Sequence, residues 1–109
     1  MLFIKLSIIK IYEYWIRKLI PMSSYENISI KIINILEGGK CSIGHQIGDK
    51  FNFEKERGTI CPHAMNVIFP YIVGLQSGGS FPWEKDPNSI TVCCPDPNNP
   101  VVFKITRTK

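Results

Sequence analysis

The stretch Ser89-Ile-Thr-Val-Cys-Cys-Pro-Asp-Pro-Asn-Asn-Pro-Val-Val-Phe-Lys-Ile-Thr106 decides the fold. Residues 89 to 94 and 101 to 106 are rich in β-branched side chains, which suit a pleated, half-buried surface. Between them Pro95-Asp-Pro-Asn-Asn-Pro100 is turn chemistry throughout, so the two runs read as an antiparallel pair that closes a sheet. Upstream, Ile28, Ile30 and Ile32 alternate with Ser29 and Lys31, the period of two that marks a strand with one buried face. Gly38-Gly39 ends that strand, and Phe51 and Phe53 alternate into another short one.

Between these strands Cys61-Pro62 predicts a helix start, because proline is favoured where its missing N–H is not needed. Met65, Ile68, Phe69, Ile72 and Val73 continue it with helical spacing. Pro70 removes a backbone donor and disfavours helical geometry at Phe69, so a kink or a split is expected there, and Gly78-Gly79 terminates the helix. The expected fold is a small α+β domain, an antiparallel sheet with one kinked helix over residues 62 to 77 packed on one face.

A chain of 109 residues, 44% hydrophobic and 20% charged, has room for one core. Residues 22 to 109 are expected to form a single compact domain. Residues 1 to 21 stand apart: fifteen of them are Leu, Ile, Phe, Lys or Tyr, the composition that A/T-rich DNA yields in any frame, and Met22 is read as the biological start. The competing reading is an amphipathic helix, with Ile8, Ile11, Tyr12, Trp15 and Leu19 on one face and Lys10, Glu13 and Arg17 on the other.

Of the formal charge of +4, residues 1 to 21 hold +3 and the remaining 88 residues only +1. Charges in the domain alternate in sign around Lys50, Glu54, Lys55, Glu56 and Arg57, so no basic run of the kind phosphate backbones need is present and no nucleic-acid partner is expected. The uncharged stretch Thr59–Trp83 has the length of a membrane span, but Pro62, Asn66, Pro70, Gln76 and Gly78-Gly79 predict a buried helix and loop instead. No small-residue cleavage site follows the apolar start, so the four cysteines are read as reduced thiols in the cytoplasm.

Those thiols carry the functional expectation. Zinc and iron–sulfur sites gather thiolates and imidazoles from segments turned by Gly and Pro. Three such segments occur: Cys41-x3-His45 in a loop with Gly44 and Gly48, Cys61-x-His63 at the helix start, and Cys94 where the proline turn begins. Their spacing matches no standard zinc finger or ribbon. Strand alternation sends Cys93 to the face opposite Ile90, Val92 and Cys94, so Cys94 is the inward member of the pair. The expected ligands are Cys41, Cys61 and Cys94 with His45 as the fourth, His63 being second choice. Zinc is the first metal expected and an iron–sulfur cluster the second.

Two other classes compete. A thiol at the first cap of a helix meets unpaired N–H groups and the positive end of the macrodipole, an environment suited to a nucleophile as well as to a ligand. Cys61 would then be the nucleophile of a thiol redox protein, with Cys41 or Cys94 resolving; Cys61-Pro62-His63 opens like the Cys-Pro-His-Cys motif of thioredoxin-like oxidoreductases, but Ala64 stands in the second cysteine's place. The remaining reading is a non-catalytic interaction module with ordinary core thiols, acting as a homo-oligomer or on a protein partner. Phe81-Pro82-Trp83 is expected to plug the open end of the core, and Asp49 and Asp96 border the site as turn formers.

The blocks G-K-C-S-I-G-H-Q-I-G-D at 39 to 49, I-C-P-H-A at 60 to 64, F-P-W-E at 81 to 84 and C-P-D-P at 94 to 97, followed by Val102-Phe103, occur in this order over nearly all of the chain after Met22. In this the chain resembles a family of small uncharacterised bacterial and archaeal proteins. The resemblance falls on Cys41, Gly44, His45, Gly48, Asp49, Cys61, Pro62 and Cys94, leaves out Cys93 and residues 1 to 21, and departs at Ser42, where the family has proline. It implies a prokaryotic origin and one compact domain, and brings no activity with it.

Overall fold

The computed structural model describes residues 27–108, so both readings of residues 1 to 21 lie outside the described residues. Four strands form one antiparallel sheet: β1 (Asn27–Ile35), β2 (Lys50–Asn52), β3 (Ser89–Cys93) and β4 (Val101–Thr108), in the order β2-β1-β4-β3. Two helices accompany it, the single turn α1 (Phe53–Glu56) and the longer α2 (Pro62–Gln76). The α+β class and the antiparallel sheet are as the sequence predicts.

Alternation places the core. Ile28, Ile30 and Ile32 of β1, Ile90 of β3, and Val101, Phe103 and Ile105 of β4 are all buried on one face of the sheet. Against them α2 lays Ala64, Ile68, Ile72 and Leu75, four residues on one helical stripe, while Phe53 and Ile60 fill the corner beside it. Between Ile32 and Asn34 the pairing of β1 with β4 slips at a bulge. The extra residue, Ile33, is left partly exposed, and beyond it Ile35, opposite Val101, packs against the core.

One local expectation is corrected, and one alternative is settled. Phe53 opens α1 rather than continuing a strand, because Asn52 caps that turn: its side-chain oxygen accepts from the Lys55 N–H at 3.1 Å while Glu56 reaches back to accept from the Asn52 N–H at 3.0 Å. Nor is α2 split, since it runs through Pro70 as one helix of 15 residues. Pro70 and Asn66 both face outward, so the Asn66 carbonyl that loses its usual donor is open to water. The span Thr59–Trp83 is a helix and loop as expected, and among the described residues no helix is long and apolar enough to cross a membrane.

The C-terminal end of α2 is closed by Arg107, which is buried. Its guanidinium donates to the Leu75 carbonyl at 2.8 Å, the Gly79 carbonyl at 2.6 Å, the Pro87 carbonyl at 3.0 Å and Asn88 Oδ1 at 3.1 Å. A cation at this end answers the negative end of the dipole and adds a second donor to the Leu75 carbonyl, which also accepts from the Gly78 N–H at 3.1 Å. Phe81 packs between Tyr71 and Trp83, at 5.5 and 5.3 Å between ring centroids, and closes the core at the level of Gly74. Trp83 itself stays 66% exposed, so only the phenylalanine of the expected plug is inserted.

Candidate functional site

At its other end α2 begins beside the turn between β3 and β4, and here three cysteine-bearing segments meet. Cys94 follows β3 directly. Its backbone N–H continues the hairpin by donating to the Val101 carbonyl at 2.9 Å, while the return bond, from the Val101 N–H, goes to the Cys94 sulfur at 3.2 Å. The sulfur thus takes the place a carbonyl would hold in a regular pair, which fixes its position at the mouth of the turn. Asp96 shapes that turn by accepting from the N–H groups of Asn98 and Asn99 at 2.9 and 3.2 Å. The Asn98 bond, with lesser help from Asn99, holds the Asp96 carboxyl below the usual carboxylate range.

Asn99 joins this turn to the cysteine loop. Its side-chain oxygen accepts from the Lys40 N–H at 3.0 Å, next to Cys41, and the neighbouring Pro100 carbonyl accepts from the Leu36 N–H at 2.9 Å. The approach leaves no room for a side chain at position 39, where a Cβ on Gly39 would lie 2.5 Å from Asn99 Oδ1. Farther along the loop Gly44 and Gly48 have φ of 96 and 95°, a left-handed conformation that glycine adopts without a Cβ clash. Gly48 and Asp49 tie the loop back to β1 through both backbone groups of Ile32, at 2.8 and 2.9 Å.

The third segment is held by an imidazole. His45 Nε2 accepts from the Cys61 N–H at 3.1 Å, and the ring stands edge-on to Phe51 at 5.4 Å between centroids. Cys61 is the N-cap of α2 and Pro62 follows it in the first turn; the Cys61 side chain makes no capping bond, so its sulfur is not committed to the helix. The bond from His45 therefore links the cysteine loop to the helix start through the backbone of Cys61.

Cys41, Cys61 and Cys94, all half-buried, line one cavity of about 250 Å³ together with His63, Asp96 and Asn99. His45 lines an adjoining hollow that shares Cys41 with the first. The two histidines thus stand differently from their reading in the sequence: His63 is on the wall of the thiol cavity, and His45 lies behind it with Nε2 engaged. Cys93 pairs with Val102 in the sheet and has no part in the cavity wall. Burial pushes its thiol up, and the neighbouring Cys94 adds to the effect. Among the described residues no three His, Cys, Asp or Glu side chains stand close enough together to hold a metal ion as they are. No family model, curated protein or solved structure matches the chain.

Asn99 is the residue that sequence reasoning missed. The signal was the second asparagine of a proline turn, a residue type whose side chain readily bonds to backbone, but its partner lies 59 positions away.

Proposed function

We propose that this domain binds a thiophilic transition metal, zinc first and an iron–sulfur cluster second, through Cys41, Cys61 and Cys94. The observation that supports the reading is that three segments far apart in sequence, tied to one another by Asn99 and His45, put these three cysteines on the wall of a single cavity. Thiolates are the preferred ligands of both groups, with Zn–S bonds of about 2.3 Å. Loading requires the thiol side chains to turn inward about χ1, and metal–ligand bonds offset the cost of that ordering. An imidazole completes the set. His63 lines the cavity, whereas His45, the residue first expected there, would have to give up the Cys61 N–H or ligate through Nδ1.

Anaerobic purification followed by elemental analysis tests the proposal. It predicts about one zinc or cluster per chain, and a content below about a tenth of an equivalent sinks it. A visible absorption band from the same sample separates an iron–sulfur cluster from colourless zinc.

A second reading has its own observation in favour, the uncommitted sulfur of Cys61 at the helix N-cap with two more thiols around the same cavity. In it the Cys61 thiolate attacks a disulfide of a partner protein, one partner sulfur leaves as thiolate, and Cys41 or Cys94 resolves the mixed disulfide. Alkylation of Cys61 near neutral pH at a rate no faster than a free thiol removes this reading. The third, an interaction module with ordinary thiols, wins if all three cysteines can become serine without loss of stability or metal.

A further inference from the structure

The face of the sheet opposite the core carries a feature that the linear sequence hides. In the register, Lys31 of β1 stands directly across from Lys50 of β2 on one side and Lys104 of β4 on the other. Three lysines therefore form one row across three adjacent strands, with roots about 4.8 Å apart, and all three are exposed. Like charges directly opposite one another destabilise a sheet, and here two such pairs share a central residue. Among the described residues no ion pair engages Lys31, Lys50 or Lys104. One acidic group flanks each end of the row: Glu56, which accepts from the Asn52 N–H, lines a hollow with Lys50, and Glu84 accepts from the N–H of Thr91, the residue paired with Lys104. Beside the row the same face carries Ser29, Asn52, Thr91 and Thr106, with Val102 and Cys93 beyond Lys104.

We propose that this face docks an acidic polypeptide segment, whose carboxylates meet the row Lys50, Lys31 and Lys104. Charge complementarity chooses the occupant. Among the described residues the strands put on this face no aromatic ring on which a base would stack and no arginine fork for a phosphate, the two devices that nucleic-acid surfaces use. Lysine ammonium groups on long flexible stems act as point charges and suit carboxylates spread along an extended chain. The contact lies away from the thiol cavity and does not depend on what fills it.

Fluorescence anisotropy of a labelled decaglutamate peptide with the full chain tests the proposal. Binding is expected at about 20 mM salt and should weaken at least about tenfold at about 300 mM, as exposed charge pairs are screened. Lys31→Glu together with Lys104→Glu should weaken it at least about tenfold, while Lys55→Glu on α1 should leave it within about twofold, all with unchanged circular dichroism. Because outward-facing Lys→Glu changes at strand centres can alter folding, Lys31→Gln with Lys104→Gln provides a gentler arm that should lose affinity in the same direction. Absence of binding at low salt overturns the proposal. So does equal weakening by Lys55→Glu, which would mean net charge alone, or tighter binding of a decathymidylate strand, which would assign the face to nucleic acid.

Discussion

The two ends of α2 are finished in opposite ways. At the C-terminal end a buried arginine donates to the Leu75 carbonyl of the last turn and to Gly79, Pro87 and Asn88 in the connection that follows it, so its guanidinium is committed to the fold. At the N-terminal end the cap residue is a cysteine whose sulfur bonds nothing in the helix, and the loops around it are joined by single hydrogen bonds from Asn99 and His45. One end is closed by chemistry that serves stability. The other gathers three half-buried cysteines around a cavity, with the Cys94 sulfur and His45 Nε2 each accepting one backbone N–H. The buried isoleucines and Phe103 form the core and the three cysteines pack only against its margin, so a metal bound by them is expected to order the loops rather than to create the fold.

Changes at the closed end should have the largest effect. Arg107→Met removes the guanidinium from the Gly79 and Pro87 carbonyls and Asn88 Oδ1, leaves the Leu75 carbonyl only the Gly78 N–H, and is expected to cost about 2–4 kcal/mol in urea unfolding. Arg107→Lys should recover only part of that, because an ammonium cannot reproduce the planar fork. A loss below about half a kcal/mol would mean that this end is no better secured than the other.

At the open end the effects should be smaller and local. Gly39→Ala forces a Cβ against Asn99 and is expected to cost about 1–2 kcal/mol, with hydrogen exchange rising at Lys40 and through the turn from Cys94 to Val101. The core strands should keep their protection. Uniform loss of protection across the sheet would contradict the separation of the two ends.

The smallest effect is the response of the proline turn to acid. The Asp96 carboxyl is held below its ordinary value when folded, so its contribution is fully present above about pH 4 and is lost as pH falls through the lowered value. Amide shifts of Asn98 and Asn99 should follow that titration, and Asp96→Asn should abolish it. The same titration midpoint as in a free peptide would remove this support for the turn.

How far the sequence revealed this arrangement depended on the range of the interaction concerned. The hairpin of β3 and β4, the inward side of β1 and the start of α2 were legible because alternation, turn residues and Cys61-Pro62 are local signals. Phe53 was misread because its alternation with Phe51 concealed the Asn52 cap, and the unbroken course of α2 past Pro70 depended on which side of the helix faces water. The three cysteines that share the cavity could be named from residue type and turn chemistry. That His63 lines this cavity and His45 the adjoining one could not, since it follows from how a loop with two left-handed glycines lies on the helix start. Lys31, Lys50 and Lys104 became neighbours only through strand register.

Cobalt(II) titration of the reduced full chain tests the central claim most directly, because thiolate ligation gives charge-transfer absorption that imidazole or carboxylate alone does not. The account predicts saturation at about one equivalent, loss of the band in Cys41→Ser, Cys61→Ser and Cys94→Ser, and its retention in Cys93→Ser. No thiolate band, or a band that survives Cys94→Ser and disappears with Cys93→Ser, would contradict it.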